Sequence, residues 1–280
     1  MVRLSRGEME LWLNPGSGGS IAALRWRGID IMRPAAPDAS VLGMACFPLV
    51  PFSNRIARGR FVADGRVVRL APNLPGTDQP HAIHGFGWQT PWQVAEQSAA
   101  DAVLIHHYVA GEWPWTYRAM QRFELSADGL LLRLSIQNQG RSPMPAGLGV
   151  HPYFPRAGAS IDLPVTGRWD STSDCLPTRW QSIAKQPDWL GAAPLDHVFT
   201  GRSGPIIIAW PECHLTIIPA AELSFTVVYA PAGADFFCIE PVSHMTDAVN
   251  RADPPDVTGL RWLAPQEIWE THVHFVVRPA

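Results

Sequence analysis

Glycine and proline interrupt this sequence so often that long helices are excluded. The chain has 23 glycines and 27 prolines among 280 residues. A proline inside a helix removes one backbone donor and clashes with the preceding turn, and glycine also weakens helices. No apolar stripe with the 3.6-residue period of a helix is visible between these residues. The chain is therefore expected to fold mainly as short strands joined by turns.

Short apolar or alternating segments predict those strands. Leu130, Leu132, Leu134 and Ile136 occupy every second position of one segment, which is typical of a half-buried strand. The other predicted strands are Val67–Leu70, Val103–Tyr108, Arg118–Leu125, Pro205–Trp210, Leu215–Ile218, Ser224–Tyr229, Phe236–Ile239 and Thr271–Val277. So many short strands separated by turns indicate an all-β sandwich or barrel.

Little helix is expected. Pro187–Gly191 and Pro265–Glu270 are each predicted to form about one helical turn. The glycine-rich segment Asn14–Ser20 lacks the Gly-Lys-Ser/Thr ending of a P-loop and the third glycine of a dinucleotide fingerprint. It is predicted to be a tight turn between two strands.

The composition favours one well-packed domain. Hydrophobic residues make up 46% and charged residues 17% of the chain, whereas about 25% charged residues is usual in soluble domains. No repeat, low-complexity segment or linker divides the sequence, so residues 1–280 are predicted to form a single domain. The net charge is −3 without a basic stripe, which argues against a nucleic-acid partner.

Other classes are also disfavoured. The sequence has no apolar run long enough for a membrane helix and no signal peptide at its start, so a cytoplasmic location is predicted. Cys46, Cys175, Cys213 and Cys238 form no CxxC pair, which disfavours a disulfide framework or a zinc site. A Schiff base would have to use Lys185, the sole lysine, which lies in a polar stretch before a proline.

Two polar residues beside apolar strands stand out. Glu240 follows the apolar strand Phe236–Ile239 and precedes a proline. Burial there would raise its pKa and suit it to act as a base. His151 also lies between an apolar segment and a proline. Taken alone it fits a structural role, but imidazole is also the side chain best suited to donate a proton near neutral pH.

Further polar candidates occur in three other segments. Asn54 and Arg55 follow an apolar run, and Arg55 could present its planar donors to a ligand or satisfy backbone carbonyls. His84 stands among glycines, and Trp88 close by offers a flat face for a sugar or for the core. Asp196 could accept hydroxyl hydrogen bonds or serve as a turn residue or helix cap.

The spacing of His81 and His84 does not indicate a metal site. These two histidines have the separation of an HxxH pair, but no carboxylate or cysteine accompanies them at ligand spacing. His272 and His274 alternate along a predicted strand and are interpreted as strand residues rather than ligands.

These segments, taken in order, resemble the aldose 1-epimerase, or galactose mutarotase-like, family. The resemblance covers about residues 11–277. It rests on Asn54-Arg55-Ile56 with Gly59 and Phe61, on His84-Gly85, on Trp113-Pro114-Trp115 with Tyr117, on His151 with Tyr153 and Phe154, on Asp196, and on Glu240 with Asp247, Ala248 and Asn250. Each motif is short, and the specificity lies in the ordered set.

The resemblance implies a large β-sandwich, the supersandwich of this family, with few short helices and an open sugar cleft. It implies that the α and β anomers of a free monosaccharide are interconverted without a cofactor or metal. By the same analogy Glu240 is the base at the C1 hydroxyl and His151 the acid at the ring oxygen. Arg55, His84 and Asp196 would bind the sugar, and Asn54 and Trp88 are further candidate contacts. The protein would work as a monomer or homodimer.

Some positions depart from the family pattern, and alternatives stay open. Many members have glutamine two residues after the glutamate, where this sequence has Val242, and His84 is followed by Gly-Phe-Gly-Trp. If Arg58 and Arg60 reach the cleft, an anionic sugar would fit. A non-catalytic sugar-binding or sensing module on the same fold is the main alternative. A glycoside hydrolase would need a second carboxylate, Asp196 or Asp247, beside Glu240.

Overall fold

The computed structural model describes residues 1–280, and its regular secondary structure is almost entirely β. In chain order, the strands are β1 (Val2–Arg6), β2 (Met9–Asn14), β3 (Ser20–Trp26), β4 (Ile29–Asp30), β5 (Cys46–Leu49), β6 (Arg55–Ile56), β7 (Arg60–Ala63), β8 (Arg66–Arg69), β9 (Ala82–Ile83), β10 (Gln93–Gln97), β11 (Asp101–Tyr108), β12 (Tyr117–Leu125), β13 (Gly129–Asn138), β14 (Met144–Ala146), β15 (Gly149–Pro155), β16 (Ser160–Asp162), β17 (Gly167–Ser171), β18 (Pro177–Ser182), β19 (Leu195–Thr200), β20 (Ile206–Ala209), β21 (Cys213–Pro219), β22 (Phe225–Ala230), β23 (Phe236–Val242), β24 (Arg261–Leu263) and β25 (Ile268–Pro279). The single α-helix is α1 (Pro255–Thr258).

Two large antiparallel sheets dominate. One has eleven strands in the order β1-β2-β3-β5-β15-β23-β22-β19-β17-β18, with β4 beside β3. The other has eight strands in the order β10-β11-β12-β13-β25-β21-β20-β16. Three two-stranded pairs, β14-β24, β6-β9 and β7-β8, complete the fold. The predicted all-β fold is confirmed.

Alternating burial explains why these segments pair as they do. Along β12, buried and half-buried residues alternate from Tyr117 to Leu125 without a break. The apolar inward side chains join a hydrophobic cluster of 59 buried residues, which takes Leu11 and Leu24 from the first sheet and Phe123 and Leu132 from the second. Removing this apolar surface from water stabilises the contact between the sheets.

Every predicted strand is present, usually with slightly different ends, and Asn14–Ser20 is a turn between β2 and β3.

The two helical predictions are wrong. Pro187–Gly191 is irregular, and Pro265–Glu270 is a turn that runs into β25. The helix occurs instead at Pro255–Thr258, where proline at the first helical position starts one turn and Gly259 ends it with φ 74°. No helix is long and apolar enough to cross a membrane.

A second, smaller cluster lies under the central strands of the eleven-stranded sheet. It contains 13 buried residues, including Phe47 on β5, Tyr153 on β15, Val227 on β22 and Cys238 on β23. Because these strands are adjacent in the sheet order, their side chains on one face form a continuous floor. The polar candidates of the sequence converge above that floor.

Candidate active site

His151 and Glu240 meet on neighbouring strands. The antiparallel register of β15 and β23 pairs Gly149 with Val242 and Tyr153 with Cys238, which brings His151 opposite Glu240. His151 Nε2 lies 3.3 Å from Glu240 Oε1, and the two side chains are 8% and 3% exposed. Glu240 is thus inside a strand that continues to Val242, rather than at the strand's end. Two residues 89 positions apart in sequence form one buried acid–base pair.

The prolines that follow each residue interrupt the ladder at this point. Pro152 and Pro241 have no N–H to donate, and the regular pairing of β15 with β23 has a gap between Gly149 and Tyr153. Prolines are rare in central strands for this reason. Here they leave the backbone less tightly joined beside the two candidate side chains.

Burial controls the charge of the pair. Burial raises the pKa of the Glu240 carboxyl well above its ordinary value; the nearby Asp196 raises it further and Arg55 opposes the change. Burial lowers the pKa of the His151 imidazole to about 3, and Arg33 also lowers it. His151 Nδ1 and Glu240 Oε2 have no hydrogen-bond partner in the protein. Burial therefore disfavours the charged form of both residues, and each keeps a polar atom available.

Asn54 and His84 hold each other in an unusual backbone conformation. Both have positive φ, 56° and 62°, which few non-glycine residues adopt. The Asn54 N–H donates to His84 Nδ1 at 3.0 Å, and the His84 N–H donates to the Asn54 carbonyl at 3.0 Å. Since Nδ1 accepts a hydrogen bond, the neutral His84 ring carries its proton on Nε2. Burial, with smaller contributions from the nearby His151 and Arg55, lowers the pKa of His84 well below its ordinary value.

Arg55 is fixed from three sides. Its Nη1 donates to Asn54 Oδ1 at 3.2 Å and its Nε donates to Gln79 Oε1 at 3.1 Å. Its Nη2 lies 3.8 Å from Asp196 Oδ2, longer than a hydrogen bond. Asp196 also accepts from the Cys175 thiol at 3.3 Å. Asp196 is a residue of β19, not of a turn or a helix cap.

These residues line one open cleft of about 530 Å³. A cavity of this size accommodates a small molecule such as a monosaccharide. The sequence candidates on its wall are Asn54, Arg55, His84, His151, Asp196 and Glu240. Carboxylate, guanidinium, imidazole and amide groups provide hydrogen-bond donors and acceptors for a polyhydroxylated ligand.

Trp88 is elsewhere. Its side chain is fully buried, stacks on Phe47 with ring centroids 5.6 Å apart and donates its indole N–H to Gly85 O at 3.1 Å. It does not line the cleft. Phe47 in turn packs against His151 with centroids 4.6 Å apart, so Trp88 supports the site from below. Arg58 and Arg60 are exposed and also lie outside the cleft lining.

The HxxH histidines have separate partners. His81 Nδ1 accepts from the Arg58 N–H at 3.0 Å, and its Nε2 lies 3.1 Å from Asp174 Oδ2. His84 Nδ1 is bonded to Asn54. No group of three or more histidine, cysteine or acidic side chains is arranged to hold a metal ion.

Several cleft residues were not predicted. They include Arg33, Gln79, Cys175, Tyr229 and Phe236, together with Tyr153, which belongs to a family motif but was given no role. Arg33 follows the apolar pair Ile31-Met32 and precedes a proline, the same kind of signal that identified His151. Gln79 has no such signal in the sequence.

Comparison with known proteins fits this arrangement. The model of the aldose 1-epimerase family matches residues 3–276. The chain belongs to the aldose 1-epimerase family. Uncharacterized protein YphB of Escherichia coli K12 is 34% identical to this epimerase-family chain over an alignment of 274 residues, and the match covers 92% of this chain and 92% of the relative.

Solved structures share this galactose mutarotase-like fold over nearly the whole of this chain. A crystal structure from Escherichia coli K12 superimposes with a TM-score of 0.89 at 29% identity, covering 99% of this chain and 98% of the other. A galactose mutarotase-like protein from Clostridium acetobutylicum superimposes with a TM-score of 0.88 at 19% identity, covering 99% and 95%. The second likeness concerns the fold alone.

Proposed function

We propose that this member of the family is an active aldose 1-epimerase, with Glu240 as base and His151 as acid. The observation that carries the proposal is the 3.3 Å approach of His151 Nε2 to Glu240 Oε1 at a buried position in the cleft. A binding protein needs hydrogen bonds to its ligand, but it does not need an acid and a base that face one another.

The two groups together hold the single proton that the reaction needs. We assign this proton to Glu240 in the resting pair, because burial disfavours the charged form of both groups. Its transfer from Oε1 to Nε2 produces a carboxylate and an imidazolium. A bound sugar, with its own hydroxyls and ring oxygen, supports this charged form by hydrogen bonding.

Ring opening then follows, with every proton and electron pair accounted for. The Glu240 carboxylate takes the proton of the C1 hydroxyl, and O1 and C1 become a carbonyl. The bond between C1 and the ring oxygen breaks, its electron pair stays on that oxygen, and the His151 imidazolium protonates it. The pair returns to its neutral form. After rotation about C1–C2, the same steps in reverse close the ring as the other anomer. Each proton transfer accounts for a rate increase of about 10²–10⁴-fold.

The surrounding residues suit the binding of the ring. The His84 Nε2–H, inferred from its bonded Nδ1, is a donor toward the cleft. Arg55 offers donors held by Asn54 and Gln79, and Asp196 offers carboxylate acceptors. We assign hydroxyl binding to these three side chains and to Asn54, and polarisation of the ring oxygen to His84 or Arg55. The reaction itself uses only the acid and the base.

Polarimetry of freshly dissolved free sugars tests the proposal. Pure anomers of a panel of hexoses, pentoses and anionic sugars would be followed with and without the protein. We expect at least one sugar to reach its anomeric equilibrium faster with the protein than in buffer alone. Saturable binding of sugars with no acceleration for any of them would instead identify a sugar-binding or sensing module. Release of reducing sugar from an aryl glycoside would identify a hydrolase.

The proposal extends to the whole molecule. Residues 1–280 act as one domain, a view supported by the hydrophobic cluster shared by both sheets. The protein works in the cytoplasm as a monomer or homodimer. Light scattering after size-exclusion chromatography measures that state.

A further inference from the structure

A second cation lies in the cleft wall without a role in the proposed reaction. The guanidinium carbon of Arg33 is 4.1 Å from the ring centre of Tyr153 and 4.6 Å from that of Phe236. Its Nη2 donates to the carbonyl oxygens of Leu42 at 3.2 Å and Met44 at 3.3 Å. Two rings and two carbonyls therefore fix the guanidinium in place, at the edge of the same cavity.

This cation has no acidic partner. Arg55, the other arginine of the cleft, has Asp196 nearby at 3.8 Å, whereas Arg33 forms no ion pair. Its two hydrogen bonds both use Nη2, which leaves Nε and Nη1 uncommitted. A half-buried guanidinium with aromatic rings beside it binds best through its planar edge, and that edge matches the oxygens of a carboxylate, phosphate or sulfonate.

Arg33 lies at the His151 end of the cleft. Tyr153 separates the two residues, and its ring stacks on the His151 ring with centroids 4.8 Å apart and planes 18° apart. The charged neighbours of the two residues differ in the same way. Arg33 lowers the pKa of His151, whereas Asp196 raises and Arg55 lowers the pKa of Glu240. If His151 serves the ring oxygen, the neighbouring ring carbon on the side away from C1 carries the exocyclic group. That group points toward the end of the cleft that contains Arg33.

We propose that Arg33 binds an anionic group on the exocyclic carbon of the sugar, so that the substrate is an acidic aldose. This inference rests on the proposed epimerase activity and on His151 as the acid at the ring oxygen. Arg58 and Arg60, which the sequence suggested for this purpose, are exposed and outside the cleft. A hydrogen bond between charged groups is worth more than one to a neutral hydroxyl, so a preference of about tenfold or more for the anionic sugar is expected.

The test compares anionic sugars with their neutral parents. Mutarotation would be measured for glucose, glucuronate, glucose 6-phosphate and 6-deoxy-6-sulfoglucose, and for the galactose series. For the wild-type protein, kcat/KM of at least one acid should exceed that of its parent by about tenfold, mainly through KM. The members of the panel distinguish carboxylate, phosphate and sulfonate. If every neutral parent is the better substrate, the inference is overturned while the epimerase activity stands.

Variants connect the preference to Arg33. Arg33→Gln should bring the ratio of anionic to neutral kcat/KM to about one, and Arg33→Lys, which keeps the charge but loses the planar edge, should retain part of it. The exposed Arg60→Gln is the matched control and should keep the wild-type ratio. Should Arg33→Gln fail to fold, the Lys variant carries the test. An unchanged ratio in a folded Arg33 variant overturns the inference.

A binding experiment separates this inference from the activity. The 1,5-anhydro sugars lack the C1 hydroxyl and cannot open. Calorimetry with 1,5-anhydroglucitol and its 6-phosphate, and with the uronate and 6-sulfonate analogues, therefore measures recognition alone. Tighter binding of an anionic analogue, lost in Arg33→Gln, supports the inference even if no sugar is turned over. Equal or weaker binding of all the anionic analogues contradicts it.

Discussion

Asn54 and His84 exchange two hydrogen bonds, one from the Asn54 N–H to the His84 ring and one from the His84 N–H to the Asn54 carbonyl, each 3.0 Å long. The first bond sets the tautomer of His84. The Asn54 side chain also accepts from Arg55 Nη1 at 3.2 Å. One residue with φ 56° thus orients two candidate sugar-binding side chains.

Substitution of Asn54 separates backbone strain from side-chain contact. Asn54→Gly tolerates the positive φ but loses the acceptor for Arg55, whereas Asn54→Ala loses the acceptor and adds strain of about 1 kcal/mol or more. Both variants are expected to lower kcat/KM about tenfold, and the Ala variant should be the less stable in urea denaturation. Equal stability of the two would show that the left-handed conformation has no cost here.

A second prediction concerns Gly85, which follows His84 in the same loop. It has φ 70°, and a Cβ at this position would lie 2.3 Å from the Val50 carbonyl oxygen. Gly233 has φ 72° with nothing within 4 Å of a Cβ, which makes it a matched control. Gly233→Ala should cost about 1 kcal/mol of unfolding free energy, and Gly85→Ala should cost about 1–3 kcal/mol more. Comparable losses in chemical denaturation would contradict the close contact.

The sequence predicted the sheets well, because a strand with one buried face has a period of two that is visible in residues such as those of β13. It also identified six of the cleft residues, since His151 and Glu240 are polar groups beside apolar strands and prolines.

It did not predict that Trp88 is buried behind Phe47, because an aromatic residue near glycines has the same pattern in a core and in a cleft. Gln79 reaches Arg55 from a loop, and no sequence period describes a loop contact. The helix at Pro255–Thr258 is one turn long, too short for a periodic signal.

The pH dependence of activity follows from the proton shared by the pair. The proposed reaction requires that Glu240 and His151 share one proton. Activity should be lost at low pH, when His151 is also protonated, and at high pH, when Glu240 loses its proton. Because burial lowers the pKa of His151 to about 3 and raises that of Glu240 well above 4.5, the profile of kcat/KM should be bell-shaped, with its acid limb near the pKa of His151 and its alkaline limb at the raised pKa of Glu240.

Two neighbours should move the alkaline limb in opposite directions. Asp196 raises the pKa of Glu240 and Arg55 lowers it. Asp196→Asn should therefore shift the limb to lower pH, and Arg55→Gln should shift it to higher pH. Both variants will also bind sugar less well, so the position of the limb, rather than the rate, is the informative measurement. Shifts in the same direction would contradict the assignment of the limb to Glu240.

Acid should destabilise the fold through His244. Its Nε2 accepts from the Ser53 N–H at 3.1 Å and its Nδ1 faces the Met245 carbonyl at 2.7 Å, which fixes a neutral ring with the proton on Nδ1. Burial lowers its pKa from 6.5 to about 4. The unfolded chain therefore binds a proton before the folded one does, and the stability from neutral His244, complete above pH 6.5, is lost as pH falls toward 4.

Urea denaturation at pH 7 and pH 5 measures this effect. The wild-type protein should lose about 1–2 kcal/mol from this residue over that interval. His244→Gln should be less stable at pH 7 but should show a smaller pH dependence. His214→Asn, at an exposed position on β21, is the control and should keep the wild-type slope. An unchanged slope in the His244 variant would exclude this residue as the source.

The central claim is that Glu240 and His151 open the sugar ring as a pair, and saturation-transfer NMR between the two anomer signals of an accepted sugar tests it most directly. Glu240→Gln and His151→Asn should each lower the exchange rate by at least about a hundredfold. The exposed Glu222→Gln and His214→Asn should remain within about twofold of wild type, because exposed substitutions away from the site have small effects. Wild-type exchange in a folded Glu240→Gln or His151→Asn protein would contradict the claim.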